Sequence, residues 1–351
     1  MAAEFEQPTK VESPLPPGHR LLFPGPGFLY GGAFKAGQLV DEDPRGFSSI
    51  IPRNVLTEQV KKSLDELGQE YLHLLATLAT HVGKENLTIV KNKFTMGKTD
   101  PETEQMVLTS IDYPDFEEFD NAHFQAFIDH PTVWTRDGFT TIGPLTLLHP
   151  VYFQDIPNYD GTVKSLFAEG GSVLHAKDAI LVSEGLWPVR DQDKGFQKLK
   201  EFGFKIAPLP LVDPKKQTLE PHHTHIDTHA ALIVDKDNNL QLLVAESYSR
   251  QGHGTRKRIR FAAETIGAET FEVDDRNLPP FALNFIQFAD KSVVVTNSQN
   301  SDLILTLQLI LGEEKIITPH IPLAKIPTVL GGSIRCMINT IPESVLNGLR
   351  S

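Results

Sequence analysis

A unit of strand, turn, strand, helix and strand recurs through the second half of this 351-residue chain, and it constrains the fold more than any other feature. In the first copy the stretch from Glu169 to Glu184 reads as two strands around Ala176-Lys177-Asp178. A helical segment from Lys194 to Phe202 and an apolar run from Phe204 to Leu209 follow. The second copy has strands at His225 to Val234 and Leu240 to Ala245 around Asp235-Lys236-Asp237-Asn238-Asn239. A helix from about Thr255 to Ile266 and a strand at Thr270 to Val273 complete it. In the third, Leu283 to Phe288 and Ser292 to Thr296 flank Ala289-Asp290-Lys291, with a helix at Ser301 to Leu311 and a strand at Lys315 to Thr318. Each copy is ββαβ. Glu169, Asp227 and Asn284 fall at equivalent points 58 and 57 residues apart, and Cys336 lies 52 further on. A unit of about 55 residues cannot bury its own apolar face and must pack on its neighbours. A closed ring would aim the starts of all the hairpins at a common centre; an ordinary α/β sandwich is the alternative.

The remaining sequence is less regular. Residues 1–27 contain six prolines, which fix φ and lack an N–H, so this segment reads as an extended arm or loop preceding one domain over 28–351. Leu64, Leu67, Tyr71, Leu74, Leu75 and Leu78 recur at three- and four-residue steps and predict a helix from Val55 to about His81. That helix and the strand-like Asn86 to Lys91 are the basis for a first unit, while the acidic 99–120 stretch reads as a surface connection.

Forty-five acidic against 33 basic side chains give a net charge of −12, which argues against a broad nucleic-acid or anionic-membrane surface. Arg256, Lys257, Arg258 and Arg260 read as the solvated face of a helix. No apolar run reaches the roughly 18 residues of a membrane span, and the N-terminus lacks a signal-peptide pattern, so a cytoplasmic location is expected. A single cysteine, Cys336, excludes an intramolecular disulfide and a Cys-rich zinc module.

Four short motifs lie at or near hairpin starts: Thr135-Arg136-Asp137-Gly138-Phe139, Glu169-Gly170-Gly171-Ser172-Val173, His225-Ile226-Asp227-Thr228, and Gly331-Gly332-Ser333-Ile334-Arg335-Cys336-Met337. Singly they are weak, since an Asp caps turns and a glycine pair answers backbone needs. Together they are chemically coherent. Attack by sulfur needs a thiolate, and a thiol of pKa about 8.5 is mostly protonated near neutrality. An imidazole, His225, can protonate a leaving amine and then activate water. The carboxylates Asp137, Glu169 and Asp227 suit a planar cation with several N–H donors, and a guanidinium beside Cys336 would favour its thiolate.

These residues resemble the guanidino-modifying penteins, a superfamily that includes arginine deiminases, dimethylarginine dimethylaminohydrolases and arginine amidinotransferases. The resemblance covers about Pro131 to Pro342 and rests on Arg136-Asp137, Glu169-Gly170-Gly171, His225-x-Asp227 and the Gly-rich segment ending at Cys336. It implies an α/β propeller of five ββαβ units around a pseudo-fivefold axis. It also implies Cys336 as nucleophile, His225 as acid/base, Glu169 orienting His225, and Asp137 and Asp227 holding the guanidinium. Arg335 joins them as a substrate-binding candidate, and Arg335-Cys336-Met337 leans towards the deiminases. No cofactor or metal is expected, and the partner is a small guanidino compound, with an amidinotransferase as the alternative outcome on the same site. Only 32 residues separate Asp137 from Glu169, too few for a full unit, so that unit is abbreviated or the alignment of Asp137 is wrong.

A different class of reading uses His222, His223, His225, Asp227 and His229, whose His-x-His and His-x-Asp spacings could aim at one metal in a hydrolase. A non-catalytic binding protein built on the same ring is the third. His175 reads as a turn residue, Arg190 and Arg250 are guesses for a carboxylate-binding arginine, and a homo-oligomer is allowed.

Overall fold

The computed structural model describes residues 13–25, 58–91, 119–123, 134–154, 159–211, 225–252, 254–278, 281–296, 301–330 and 332–350. The expected ββαβ order is realised. Strands β4 (Phe139–Ile142), β5 (Leu145–Leu148) and β6 (Thr162–Lys164) form one sheet, and β7 (Val173–Ala176), β8 (Ala179–Ser183) and β9 (Lys205–Leu209) form the next. Then come β10 (Ala230–Val234), β11 (Leu240–Ala245) and β12 (Ala268–Val273), followed by β13 (Ile286–Gln287), β14 (Val293–Val294) and β15 (Ile316–Ile317). In every sheet the first two strands pair antiparallel and the third adds parallel to the second. A parallel addition needs a crossover. It is supplied by helices α2 (Lys194–Glu201), α3 (Thr255–Ile266) and α4 (Ser301–Leu311). In the β4–β6 unit, whose short length was noted above, β5 and β6 are joined without such a helix among the described residues. A turn in which the N–H groups of Tyr152 and Phe153 both donate to the His149 carbonyl follows β5. The unit is abbreviated, and Asp137 stays in register with its counterparts.

The fifth unit joins the two ends of the chain. Strand β16 (Asn339–Pro342) pairs antiparallel with β1 (His19–Pro24), α1 (Glu58–Val82) crosses over, and β2 (Leu87–Lys91) adds parallel to β1, with β3 (Asp120–His123) beyond it. This corrects the reading of residues 19–24 as part of an arm. The run Leu21-Leu22-Phe23, fully buried, places them in the ring. Helix α1 starts three residues after and ends one residue beyond its expected bounds, and Leu67, Tyr71, Leu74, Leu75 and Leu78 are buried as its apolar stripe.

Contacts between neighbouring sheets close the circle. Asn339 Nδ2 donates to the Phe139 carbonyl at 2.6 Å, and Thr140 Oγ1 donates to Ala168 O at 2.9 Å. Lys177 Nζ reaches Asn238 O at 2.8 Å, linking the third sheet to the next. The Gln287 amide imitates a peptide group, accepting from Val234 N–H and donating to Val234 O, each at 2.8 Å. His81 Nε2 and Ser292 Oγ meet at 2.8 Å, and Ala289 N–H donates to Pro14 O at 2.9 Å, which completes the ring. The apolar core is accordingly shared. One cluster spans the β16–β1–β2 sheet and its neighbours on both sides, and another joins the sheets that begin at β7, β10 and β13. The basic side chains of α3 are exposed, with Arg256 paired to Glu272 and Arg258 to Glu184. Among the described residues no helix is long and apolar enough to cross a membrane.

Candidate active site

Each unit carries a tight turn immediately before its first strand, and these five turns meet at one end of the ring. They are the helical turns Thr135–Gly138 and Ile334–Met337, the 3-10 turns Gly170–Ser172 and Ile226–Thr228, and the turn in which Asn284 N–H donates to Phe281 O. A residue in or beside each turn is thereby delivered to the axis: Asp137, Glu169, His225 with Asp227, Asn284 and Cys336. The repeat period is the local cause, because equivalent positions in a ring share one radius and one height.

Cys336 is 6% exposed, and its Sγ lies 3.6 Å from Oδ2 of Asp227. Asp227 is fully buried; Oδ2 also accepts from Arg335 Nη1 at 2.7 Å, whereas Oδ1 has no hydrogen-bond partner among the described residues. A buried carboxylate oxygen without a donor is costly, and a ligand N–H is the natural remedy. His225 Nε2 meets Glu169 Oε1 at 3.0 Å, and Ser172 Oγ donates to the other Glu169 oxygen at 2.9 Å. Gly171 makes this possible: a Cβ there would lie 2.6 Å from the His225 ring.

The electrostatics follow from burial and from crowding of like charge. Burial alone would lower the His225 pKa, but the Glu169 hydrogen bond and the charges of Asp137, Glu169 and Asp227 overcome it and raise it to about 9. Burial opposes Glu169 as well; its bonds with His225 and Ser172 prevail and hold it below its ordinary value. Asp137 is pushed up to about 7 by burial and by Glu169 and Asp227, against the pull of His225. Burial, then Asp227 and Asp137, raise the Cys336 thiol well above its ordinary value. His225 is therefore an imidazolium paired with Glu169 and the Cys336 thiol is protonated, while Oδ1 of Asp227 is the acceptor left for a cationic ligand.

Arg335, expected on the substrate, is committed to the protein. Its Nη1 donates to Gly170 O at 2.8 Å as well as to Asp227, and its Nη2 donates to Val173 O at 2.7 Å. It ties three units together and holds Asp227 in place. Asn284, noted in sequence only for its spacing, is a positioning residue. Its Oδ1 accepts from Cys336 N–H and its carbonyl from Arg335 N–H, both at 3.2 Å. Thr135 Oγ1 and Arg136 Nε bind the Met337 and Ile338 carbonyls at 2.7 and 3.1 Å, anchoring the cysteine turn from its other side. His149 and Tyr152, whose rings lie 5.3 Å apart, feel the charge of Glu169, and Tyr152 that of Asp137 as well. Trp134 packs where a Cβ on Gly332 would stand 2.7 Å away. Thr135 and Arg136 belong to the motif read for Asp137, whereas Trp134, His149, Tyr152 and Asn284 lie in none and only their position near hairpin starts could have marked them.

Other sequence candidates are placed elsewhere. His175 belongs to strand β7 rather than to a turn, because the hairpin turns two residues later, at Lys177. Arg190 is held by the Trp187 carbonyl and Asp191, and Arg250 by Glu246. His222 and His223 lie outside the described residues; His229 lies against the Tyr248 ring, with centroids 5.9 Å apart. Among the described residues no group of three or more His, Cys, Asp or Glu side chains is arranged to hold a metal ion.

Four ββαβ units and one abbreviated unit, closed into a ring by strands from both ends of the chain and with one such turn per unit at one mouth, decide the architecture. The fold is a pentein. Neither a protein-family model nor a curated protein sequence matches this chain. Among solved structures it is similar to an agmatine deiminase of Enterococcus faecalis, with 12% identity, TM-score 0.48 and 95% of each chain covered. It is likewise similar to the N-terminal domain of a cyanobacterial arginine dihydrolase, with 12% identity, TM-score 0.48, and 93% of this chain and 98% of that one covered. A dimethylarginine dimethylaminohydrolase bearing an S-methyl-L-thiocitrulline adduct aligns at 10% identity and TM-score 0.45, over 92% of this chain and 99% of the other.

Proposed function

We propose that this protein is a cysteine-dependent hydrolase of the guanidinium carbon of arginine or a related guanidino compound. The observation that carries the reading is the Cys336 thiol at 3.6 Å from a fully buried Asp227 whose second oxygen lacks a donor, beside an imidazole paired with Glu169. A guanidinium presents planar N–H donors that a carboxylate accepts in pairs. Asp227 Oδ1, with Asp137 beside it, supplies the missing acceptors. Arrival of that cation also reverses the balance that keeps Cys336 protonated, since a positive charge near sulfur favours the thiolate.

The steps balance as follows. As the guanidinium binds, the Cys336 thiol releases its proton to solvent, and Sγ bonds to the guanidinium carbon to form a tetrahedral adduct. His225, an imidazolium with a pKa of about 9, donates its proton to the departing nitrogen as the C–N bond breaks. Ammonia or an amine leaves, and an amidino-thioether remains on Cys336. Neutral His225 then takes a proton from water as the hydroxyl adds to the same carbon. Collapse breaks the C–S bond and regenerates the thiolate, and the added hydroxyl loses its proton to solvent as the ureido carbonyl forms. Glu169 keeps the His225 ring aligned through both proton transfers. Attack by an acceptor amine in place of water would make the enzyme an amidinotransferase with the same residues.

The test is turnover of arginine, methylarginine, agmatine and peptidyl arginine by the full chain, with ureido product and released amine measured together. A ureido product equal to the amine released supports hydrolysis, and transfer to an added amine supports the transferase. Activity that survives in Cys336→Ser, or that falls with chelator and returns with metal, contradicts the cysteine reading.

A further inference from the structure

The other mouth of the ring contains a cavity of about 380 Å³ among the hairpin turns. Three of those turns place a residue in the left-handed region at corresponding points: Lys177 at φ 53°, Asn238 at φ 72° and Lys291 at φ 68°. Both lysines reach over to the turn between them, Lys177 Nζ to Asn238 O at 2.8 Å and Lys291 Nζ to Lys236 O at 3.1 Å. Arg136, Arg335 and His175 also line the cavity. Among the described residues the lining thus contains four cationic side chains and no carboxylate.

Compensation is unequal among these cations. Arg335 has Asp227 at 2.7 Å. Arg136 is only 6% exposed; its Nε is used on Ile338 O, and its buried Nη1 has no hydrogen-bond partner. Among the described residues neither Arg136, Lys177 nor Lys291 takes part in an ion pair. A buried guanidinium donor without an acceptor is unfavourable, and its planar fork matches an oxyanion. The field at the site has the sign an anion needs. Burial, together with the charges of Arg136 and Arg335, drives His175 down to about 3, leaving a neutral imidazole able to hydrogen-bond. The volume is that of a small-molecule pocket.

We propose that this cavity binds a small oxyanion-bearing molecule, with a carboxylate or phosphate group on Arg136 and the outer part of the ligand between Lys177 and Lys291. The site is distinct from that of Cys336, although Arg335 touches both through Asp227.

The test is calorimetric titration of the full chain with inorganic phosphate and, separately, succinate, each at an ionic strength held constant with sodium chloride. Saturable binding of about one equivalent is expected for at least one of them, and the tighter of the two identifies the chemistry as phosphate or carboxylate. Arg136→Gln should weaken it at least about tenfold, the loss typical of one charge-assisted contact. The double variant Lys177→Asn, Lys291→Asn, which keeps residues tolerant of positive φ, should weaken it severalfold, and it decides the matter should Arg136→Gln fail to fold. Cys336→Ser should bind as wild type does. Absence of saturable binding for both anions, or an affinity unchanged in the lysine double variant, would overturn the proposal.

Discussion

Sγ of Cys336 and Oδ2 of Asp227 are 3.6 Å apart although 109 residues separate them in the chain. The same oxygen takes the Arg335 guanidinium at 2.7 Å, so Asp227 stands between a fixed cation and the sulfur, with one oxygen left for a ligand. This arrangement ties the nucleophile's ionisation to occupancy of the site.

The thiolate should therefore depend on ligand. Because Cys336 is the only cysteine, absorbance near 240 nm reports it alone, with Cys336→Ser as the blank. The free protein should show no thiolate up to about pH 8.5, the ordinary thiol value, and millimolar guanidinium should bring it in at lower pH. A titration unmoved by guanidinium would count against this coupling.

Arg335 acts as a strut, not a ligand. Arg335→Gln would leave Asp227 charged and unpaired at 0% exposure, and loss of one partner from a buried pair typically costs about 3–5 kcal/mol. Urea unfolding of ligand-free protein measures this. A fully stable variant with only a raised KM would return Arg335 to substrate binding.

The Glu169–His225 pair predicts how stability changes with pH. A histidine raised from about 6.5 to about 9 on folding contributes stability that is full below about pH 6.5 and is lost as pH rises through about 9. The wild type should exceed Glu169→Gln by about 2–3 kcal/mol at pH 6.5, and the gap should narrow by pH 9.5. Titration of Cys336 above its ordinary value is common to both proteins and cancels in the difference. A gap independent of pH would show that the pair is not charged.

Gly171→Ala tests geometry without removing a reacting group. The new methyl, 2.6 Å from the imidazole, must push His225 off line, and a displacement of about 1 Å can lower kcat about 100-fold. Circular dichroism and the melting temperature should stay close to wild type. Unchanged kcat would mean that the alignment of His225 is not critical.

Much of this was legible in the sequence because it is periodic. Hairpins around Lys177, Asn238 and Lys291, helices α2 to α4, and the spacing of Glu169, Asp227, Asn284 and Cys336 all express one repeat length, and periodicity survives without any knowledge of contacts. Strand β1 was hidden because its partners, β2 and β16, are distant in the chain, and because the nearby prolines outweigh a short apolar run. The role of Arg335 was hidden for a related reason. An arginine beside a nucleophile reads as a ligand until its acceptors, two backbone carbonyls and Asp227, are known, and carbonyls leave no trace in sequence. Asn284 lacked a role for the same cause, since what it holds is the backbone of residues 335 and 336.

The most direct measurement is intact-protein mass spectrometry of the wild type and Cys336→Ser after incubation with arginine, methylarginine, agmatine and an arginine peptide, with quenching at short times. The account predicts an amidino adduct on the wild type with at least one of these compounds, none on Cys336→Ser, and a ureido product in the same tubes. A ureido product formed equally by Cys336→Ser, or no adduct and no product with any of the four, would contradict it.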